Sequence, residues 1–258
     1  MRVVLWAGGK GSRLHGHDAP IPKPMTLIHK KPMLEHVMGI YQHFGYNDFV
    51  ICMGFRKEKI VEWAKKLNGY GLTIELDGKK VPTKRSSTKL GSLILVDTGE
   101  LTETGGRTMR AAQHLGKEFM ATYGDGLGDV NIGKLADYHH SHGHMGTVTT
   151  HIKRTKNRFG RVESEFPNGK ATSFEQFDER PANIGFFVLK REALDMKPDD
   201  GTSFEEGVAL PLQQAGQLYT FRHNGYWQGM DTPEDLEDVR SRHMAGVAPW
   251  KFAEAYTP

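Results

Sequence analysis

The chain of 258 residues is long enough to bury a full core, and a quarter charged residues with a formal charge of +3 give no argument for nucleic acid or a membrane surface as partner. No apolar run reaches the length a membrane helix needs, and the single cysteine excludes an intrachain disulfide. Cys52 sits in the apolar run Phe49-Val50-Ile51-Cys52-Met53, so the expectation is a buried thiol in a protein of the reducing cytoplasm, beginning on its first core strand with no basic leader.

The first predicted strand, Val3 to Leu5, passes directly into Ala7-Gly8-Gly9-Lys10-Gly11-Ser12-Arg13-Leu14. Glycines let the main chain approach a ligand closely and take positive φ, and exposed amides in such a turn hold phosphate oxygens. Arg13, and Lys23 within Pro22-Lys23-Pro24, bring positive charge to the same mouth. The pattern describes a triphosphate cradle, with an ordinary strand-turn-helix connection as the plain alternative. Two rival phosphate motifs fail. Position 14 is leucine where G-x-G-x-x-G needs its third glycine, and the turn holds no G-x-x-x-x-G-K-[ST] string.

Next come a predicted helix from Pro32 to about Phe44, a strand over Phe49 to Met53 and a helix from about Lys57 to Leu67. Leu34, Val37, Met38 and Tyr41 fall at the spacing of a buried helical face, and Ile60, Trp63, Ala64 and Leu67 repeat it, so both stripes read as core. Residues 68–96 break this rhythm, and the polar run Asp77 to Ser87 reads as a mobile surface loop. The rhythm resumes with a strand from Leu93 to Val96, a helix from about Gly106 to Leu115 and a strand from Phe119 to Tyr123 that enters Gly124-Asp125-Gly126. Such alternation predicts an α/β protein with a mainly parallel sheet.

A helix over Asn131 to His142 and a strand over Thr147 to Thr150 follow, and the segment Asn157 to Phe187 carries the short alternating runs of extra antiparallel strands. The remainder predicts a helix from about Phe204 to Ala215, a strand over Leu218 to His223 and a helix from Pro233 to about Ala245.

Two carboxylates are candidates for a metal. Asp125 follows a strand in a tight glycine turn, a suitable place for a magnesium ligand, although a turn-forming aspartate bonded to its own loop explains it as well. Asp231 precedes Thr232-Pro233, where spacing alone favours helix capping by the aspartate or the threonine. The threonine and glycines at Thr104-Gly105-Gly106 read likewise as a helix start. His139, His140, His142 and His144 do not read as a metal site, because adjacent histidines on a helix point apart and no acid or cysteine completes a ligand spacing.

The string Gly8-Gly9-Lys10-Gly11-Ser12-Arg13-Leu14 followed by Pro22-Lys23-Pro24 resembles the signature of the sugar-nucleotide pyrophosphorylases, which join a nucleoside triphosphate to a sugar 1-phosphate. Within them, Val96-Asp97-Thr98-Gly99, Thr104-Gly105-Gly106-Arg107, Thr122-Tyr123-Gly124-Asp125-Gly126, Arg158-Phe159-Gly160 and Ala248-Pro249-Trp250-Lys251 look like the glucose-1-phosphate cytidylyltransferase subfamily, in an order that covers nearly the whole chain. The resemblance implies a Rossmann-like three-layer, mainly parallel sheet of glycosyltransferase-A-like nucleotidyltransferase topology, with a small antiparallel elaboration for the acceptor. Length alone leads to the expectation of one domain over residues 1–258, with a nucleotide-binding part over 1–130 and an acceptor-binding and C-terminal part over 131–258. By the resemblance, CTP and a phosphorylated small molecule, glucose 1-phosphate first, would be the substrates, Mg2+ the cofactor and a homo-oligomer the assembly.

Residue by residue, the resemblance implies a nucleotide site of Leu5, Ala7, Gly8, Gly9, Gly11, Ser12, Arg13, Lys23, Thr104, Gly105, Arg107 and Asp125. Arg13, Lys23 and Asp125 are implied as catalytic, Asp125 and Asp231 as magnesium ligands, and Tyr123, Gly160, Glu179, Arg180, Asn183, Gly185 and Trp227 as acceptor contacts. The acceptor side departs from the family pattern. Arg180 stands where the family has a phosphate-binding lysine, and guanidinium and ammonium differ in reach and geometry. Ile21 replaces a second lysine, and Ile184 a glycine beside the sugar.

Overall fold

The computed structural model describes residues 1–15, 21–83, 90–152, 155–164, 171–178 and 181–252. Among these, one sheet of ten strands runs in the order Pro181–Asn183, Gly146–Ile152, Phe187–Lys190, Glu118–Tyr123, Arg2–Ala7, Phe49–Met53, Gly91–Asp97, Tyr70–Leu76 and Lys79–Val81, with Leu218–His223 joined to Gly146–Ile152. Every pairing from Glu118–Tyr123 across to Tyr70–Leu76 is parallel. Antiparallel strands close the margins, Lys79–Val81 on one side and Phe187–Lys190 with Pro181–Asn183 on the other. The mainly parallel α/β sheet expected from the sequence is what forms.

Strand Arg2–Ala7 shows why helices cover both faces. Side chains alternate across a strand, so Val3, Leu5 and Ala7 enter one core layer while Val4 and Trp6 enter the other. The first layer takes Leu34, Val37, Met38 and Tyr41 from the Met33–His43 helix, and Ile60 and Ala64 from Lys57–Ala64. Ala111, Leu115, Val208 and Leu212 fill the second. Each fully buried Leu, Ile, Val or Met side chain among these contributes about 1.5–3 kcal/mol over leaving it exposed. Cys52 lies in the second layer, and burial pushes its thiol pKa up to about 12.

Two local expectations need correction. Lys79–Val81 is a strand hydrogen-bonded to Tyr70–Leu76, with Asp77 and Gly78 both at positive φ in the intervening turn; a tight hairpin forms where a polar loop was read. Residues 84–89 of that run lie outside the described residues. Ser12–His15 forms one turn of helix directly after the glycines. The segment read as one helix after Phe204 begins with the π turn Glu205–Ala209 and becomes α-helical only over Leu210–Gln214. Pro211 has no N–H to bond back to Gly207, and the widened turn accommodates that loss.

The expected extra strands appear as the antiparallel pair Thr155–Ser164 and Ala171–Asp178. Among the described residues, no helix is long and apolar enough to cross a membrane.

Candidate active site

The glycine turn leaves the C-terminal end of strand Arg2–Ala7 and is tied down at two carbonyls: Gly8 accepts from the Phe55 amide at 3.2 Å and Gly9 from the Lys23 amide at 3.4 Å. At Gly11 both the conformation and the space demand glycine. Its φ is +68°, and a Cβ there would fall 2.7 Å from Lys23 Cβ. Lys23 is held between Pro22 and Pro24, whose rings fix φ, at the start of a short 3-10 turn. Its side chain is only 12% exposed, and Nζ lies 2.7 Å from Asp125 Oδ2 and 2.9 Å from Asp231 Oδ1.

A small antiparallel ladder brings the two aspartates together. Gly126–Gly128, just after Asp125, pairs with Trp227–Gly229, and the Met230 amide donates to the Asp125 carbonyl at 3.0 Å. Beyond it, Thr232 caps the Pro233–Met244 helix: Thr232 Oγ1 accepts from the Asp235 amide at 3.2 Å, while the Asp235 carboxylate accepts from the amides of Thr232 at 2.9 Å and Asp231 at 3.0 Å. Of the two capping candidates, the threonine does the capping. The Asp231 carboxylate therefore faces Lys23 and also pairs with Arg13 Nη2 at 3.0 Å. Burial works against the Lys23 ammonium, but Asp125 and then Asp231 outweigh it and hold its pKa above the ordinary lysine value.

A cavity of about 330 Å³ opens over this group, lined by Gly8, Gly9, Lys10, Lys23, Tyr123 and Asp125, and on its far wall by residues 100–104 and Arg107. Arg107 is a buried hub. Its guanidinium donates to the carbonyls of Met53 at 3.1 Å, Gly99 at 2.8 Å and Glu100 at 3.2 Å, and to Thr98 Oγ1 at 2.8 Å. Burial lowers its pKa, and a Cβ at Gly8 would collide with its Cζ at 2.1 Å. Across the cavity mouth, Lys10 Nζ pairs with Glu100 Oε1 at 2.9 Å.

The other sequence candidates surround this cavity at different depths. Leu5 and Ala7 are fully buried in the core beneath the turn, because their side chains take the face of the strand that packs on helices. Thr104 lines the cavity and its Oγ1 accepts from the Phe204 amide at 2.8 Å, whereas Gly105 backs onto the Thr202 carbonyl, where a Cβ would sit 2.6 Å away. Ser12 starts its helical turn at the exposed rim. A larger open depression of about 730 Å³, lined in part by Met1, Arg2, Lys117 and Glu192, contains none of these residues.

On the acceptor side, Tyr123 OH and Asn183 Nδ2 both donate to Glu205 Oε1, the latter at 3.1 Å, and Asn183 Oδ1 accepts from the Gly185 amide at 2.8 Å. The Trp227 ring lies across the glycine ladder, with its Nε1 3.2 Å from where a Gly126 Cβ would be. Gly160 belongs to strand Thr155–Ser164, at a register irregularity between Lys156 and Arg161. Glu179 and Arg180 lie outside the described residues. Ile184, expected beside a sugar, is 2% exposed and packed in the first core layer, its amide bonded to the Thr149 carbonyl at 3.2 Å.

His139 Nδ1 and His142 Nε2 both meet Thr147 Oγ1, and among the described residues no group of three or more His, Cys, Asp or Glu side chains is arranged to hold a metal. Mg2+ uses one or two carboxylates and completes its shell with phosphates and water. The oxygens of Asp125 and Asp231 that converge on one point, each within 3 Å of the Lys23 ammonium, are a donor pair of that kind.

Sequence reasoning missed Lys10, Glu100 and Glu205. The first two carried a readable signal, since ligands of open α/β sheets bind beyond the carboxyl ends of strands and both residues follow such ends. Glu205 carried none, because its place depends on the π turn.

This arrangement, a glycine turn with a lysine and two carboxylates at the carboxyl edge of a parallel sheet, is that of a phosphate-handling transferase. Residues 2–244 match the model of the nucleotidyl transferase family, and the chain belongs to that family. The glucose-1-phosphate cytidylyltransferase of Salmonella typhi is 34% identical over 98% of this chain and 100% of that protein. A probable glucose-1-phosphate cytidylyltransferase of Bacillus subtilis is also 34% identical, over 97% and 99% of the two chains. The crystal structure of HddC from Yersinia pseudotuberculosis shares the fold with a TM-score of 0.67 at 20% identity, covering 94% of this chain and 99% of that one. The resemblance read from the motifs holds, and the chain is an enzyme of nucleotidyl transfer.

Proposed function

We propose that the chain transfers CMP from CTP to a sugar 1-phosphate, with glucose 1-phosphate as the first acceptor, releasing pyrophosphate and forming a CDP-sugar of the kind polysaccharide synthesis consumes. The observation that carries this reading is the meeting of Asp125 and Asp231 on Lys23, with Lys23 and Asp125 lining the glycine-turn cavity.

A sugar phosphate is already an anionic nucleophile, so transfer needs alignment and charge neutralisation more than a base. An acceptor phosphate oxygen bonds to the α-phosphorus of CTP while the bond from that phosphorus to the β-phosphate oxygen breaks, and the electron pair leaves with pyrophosphate. The amides around Gly8, Gly9, Gly11 and Ser12 cradle the triphosphate. Arg13 and Lys23 neutralise the leaving pyrophosphate, Arg13 exchanging its contact with Asp231 for one with phosphate. Asp125 and Asp231 are the residues that would hold Mg2+, which when bound supplies charge neutralisation at the phosphates. Thr104 and Arg107, backed by Leu5, Ala7 and Gly105, form the base end.

Tyr123, Asn183, Gly185 and Trp227 form the acceptor end, with Gly160, Glu179 and Arg180 completing it. One domain with a nucleotide part over 1–130 and an acceptor part over 131–258, assembled as a cytoplasmic homo-oligomer, accompanies this reading.

Incubating the protein with Mg2+, each of CTP, UTP, dTTP and ATP, and a panel of sugar phosphates and other phosphorylated metabolites tests donor and acceptor together, by mass detection of the product. CDP-glucose formed in step with pyrophosphate is the expected result. Product only with another triphosphate, or only with an acceptor that is not a sugar 1-phosphate, would replace the substrate assignment.

A further inference from the structure

Glu205 belongs to none of the motifs that mark the site, yet two acceptor-side residues anchor on its carboxylate. Tyr123 OH and Asn183 Nδ2 both donate to Oε1. Tyr123 is itself a wall of the cavity beside Asp125. The residue before Glu205 is tied to the same cavity from another side, since the Phe204 amide bonds Thr104 Oγ1 at 2.8 Å. Glu205 thus opens the π turn Glu205–Ala209 at a spot fixed from two walls, and turns of that type recur at functional sites. Burial, followed by the neighbouring acids Glu206 and Glu103, holds its pKa above the usual glutamate value.

A carboxylate has about four lone-pair positions. Two side-chain donors, Tyr123 and Asn183, fill those of Oε1, the Glu205 backbone amide also bonds the carboxylate, and Oε2 keeps acceptor capacity. These protein donors are neutral, and a half-buried carboxylate gains from every further hydroxyl that reaches it.

We propose that Glu205 selects the acceptor: Tyr123 and Asn183 fix Oε1, and Oε2 accepts a hydroxyl of the incoming sugar, so that acceptors are sorted by the presence and configuration of that hydroxyl. The inference rests on the sugar 1-phosphate reading above. A site built to accept from a substrate hydroxyl rejects the analogue that lacks it far more strongly than an apolar pocket rejects a missing methylene, because the polar group is then left unpaired.

Glu205→Gln keeps a carbonyl oxygen for Tyr123 and Asn183 and replaces Oε2 with an amide donor. With CTP and glucose 1-phosphate, the expected result is a rise of about tenfold or more in the acceptor KM and a CTP KM within about twofold of wild type. Among monodeoxy analogues of glucose 1-phosphate, one should cost the wild type what the substitution costs on the parent sugar, and that analogue should be no worse for the variant. Should the glutamine variant fail to fold, Glu205→Asp keeps the charge and withdraws it by one methylene, and the same split between the two KM values is expected. An unchanged acceptor KM, an equal rise in both KM values, or equal sensitivity to every analogue in an active enzyme would overturn the role of Glu205 alone. A wild type that releases no pyrophosphate with any sugar 1-phosphate would overturn the substrate reading and this inference together.

Discussion

The Met230 amide donates to the Asp125 carbonyl at 3.0 Å, and through this bond the C-terminal part of the chain delivers Asp231 to the side of Asp125. Both carboxylates then face Lys23 Nζ. In Lys23→Ala, two carboxylates are left facing each other with no ammonium between them, and Arg13 alone is left to meet the departing pyrophosphate. The predicted loss is roughly two to three orders of magnitude in kcat, with the circular dichroism spectrum unchanged. A turnover within a few-fold of wild type would remove Lys23 from the reaction.

Thr232→Ala removes the cap of the Pro233–Met244 helix, at a cost of about 1 kcal/mol. A melting temperature lower by about 2–4 °C is expected for a chain of this size. Because Asp235 also holds the Asp231 amide, loosening the capping box should raise the magnesium concentration needed for half-maximal rate. Melting curves and a magnesium titration measured on the same preparation check both effects.

Arg107→Lys leaves a positive charge but cannot reproduce the fork that gathers the Met53, Gly99 and Glu100 carbonyls with Thr98 Oγ1. Some of these buried acceptors lose a partner, which predicts a stability loss of about 1–3 kcal/mol in urea unfolding. The far wall of the cavity shifts with them, so the KM for CTP should rise more than the acceptor KM.

Acid should destabilise the fold through its buried histidines. Burial lowers the pKa of His36 and of His139 from 6.5 to about 4, so the folded state binds fewer protons than the unfolded chain between these values. Their contribution is complete above pH 6.5 and is lost progressively as the pH falls toward 4. Urea midpoints should hold steady between pH 7 and 8 and decline below about 6.5, and His139→Asn should make the decline shallower. A flat profile down to pH 4.5 would show that both rings are protonated in the native state.

Local pattern carried much of the fold. Leu34, Val37, Met38 and Tyr41 announced a buried face by spacing and are all buried, because one side of a surface helix must meet the core whatever the tertiary detail. The glycine turn was legible too, since positive φ at Gly11 leaves a sequence mark. The partnership of Asp125 with Asp231 left almost none: it depends on the Gly126–Gly128 ladder with Trp227–Gly229, a short pairing between distant segments. Whether Asp231 or Thr232 capped the helix was likewise undecided by spacing, and the capping box with Asp235 decides it. The Glu205–Ala209 turn was invisible as a π turn, because Pro211 permits either a break or a bulge until the packing selects one.

The most direct measurement is the rate of CDP-glucose formation from CTP and glucose 1-phosphate in a single turnover, across a magnesium titration, for wild type and Asp231→Asn. The wild type should form one CDP-glucose per pyrophosphate and stop when a chelator is added. The variant should be slower by about a hundredfold or more and need more magnesium. An Asp231→Asn enzyme with the rate and magnesium dependence of wild type would contradict a reaction centre built on the two aspartates and Lys23.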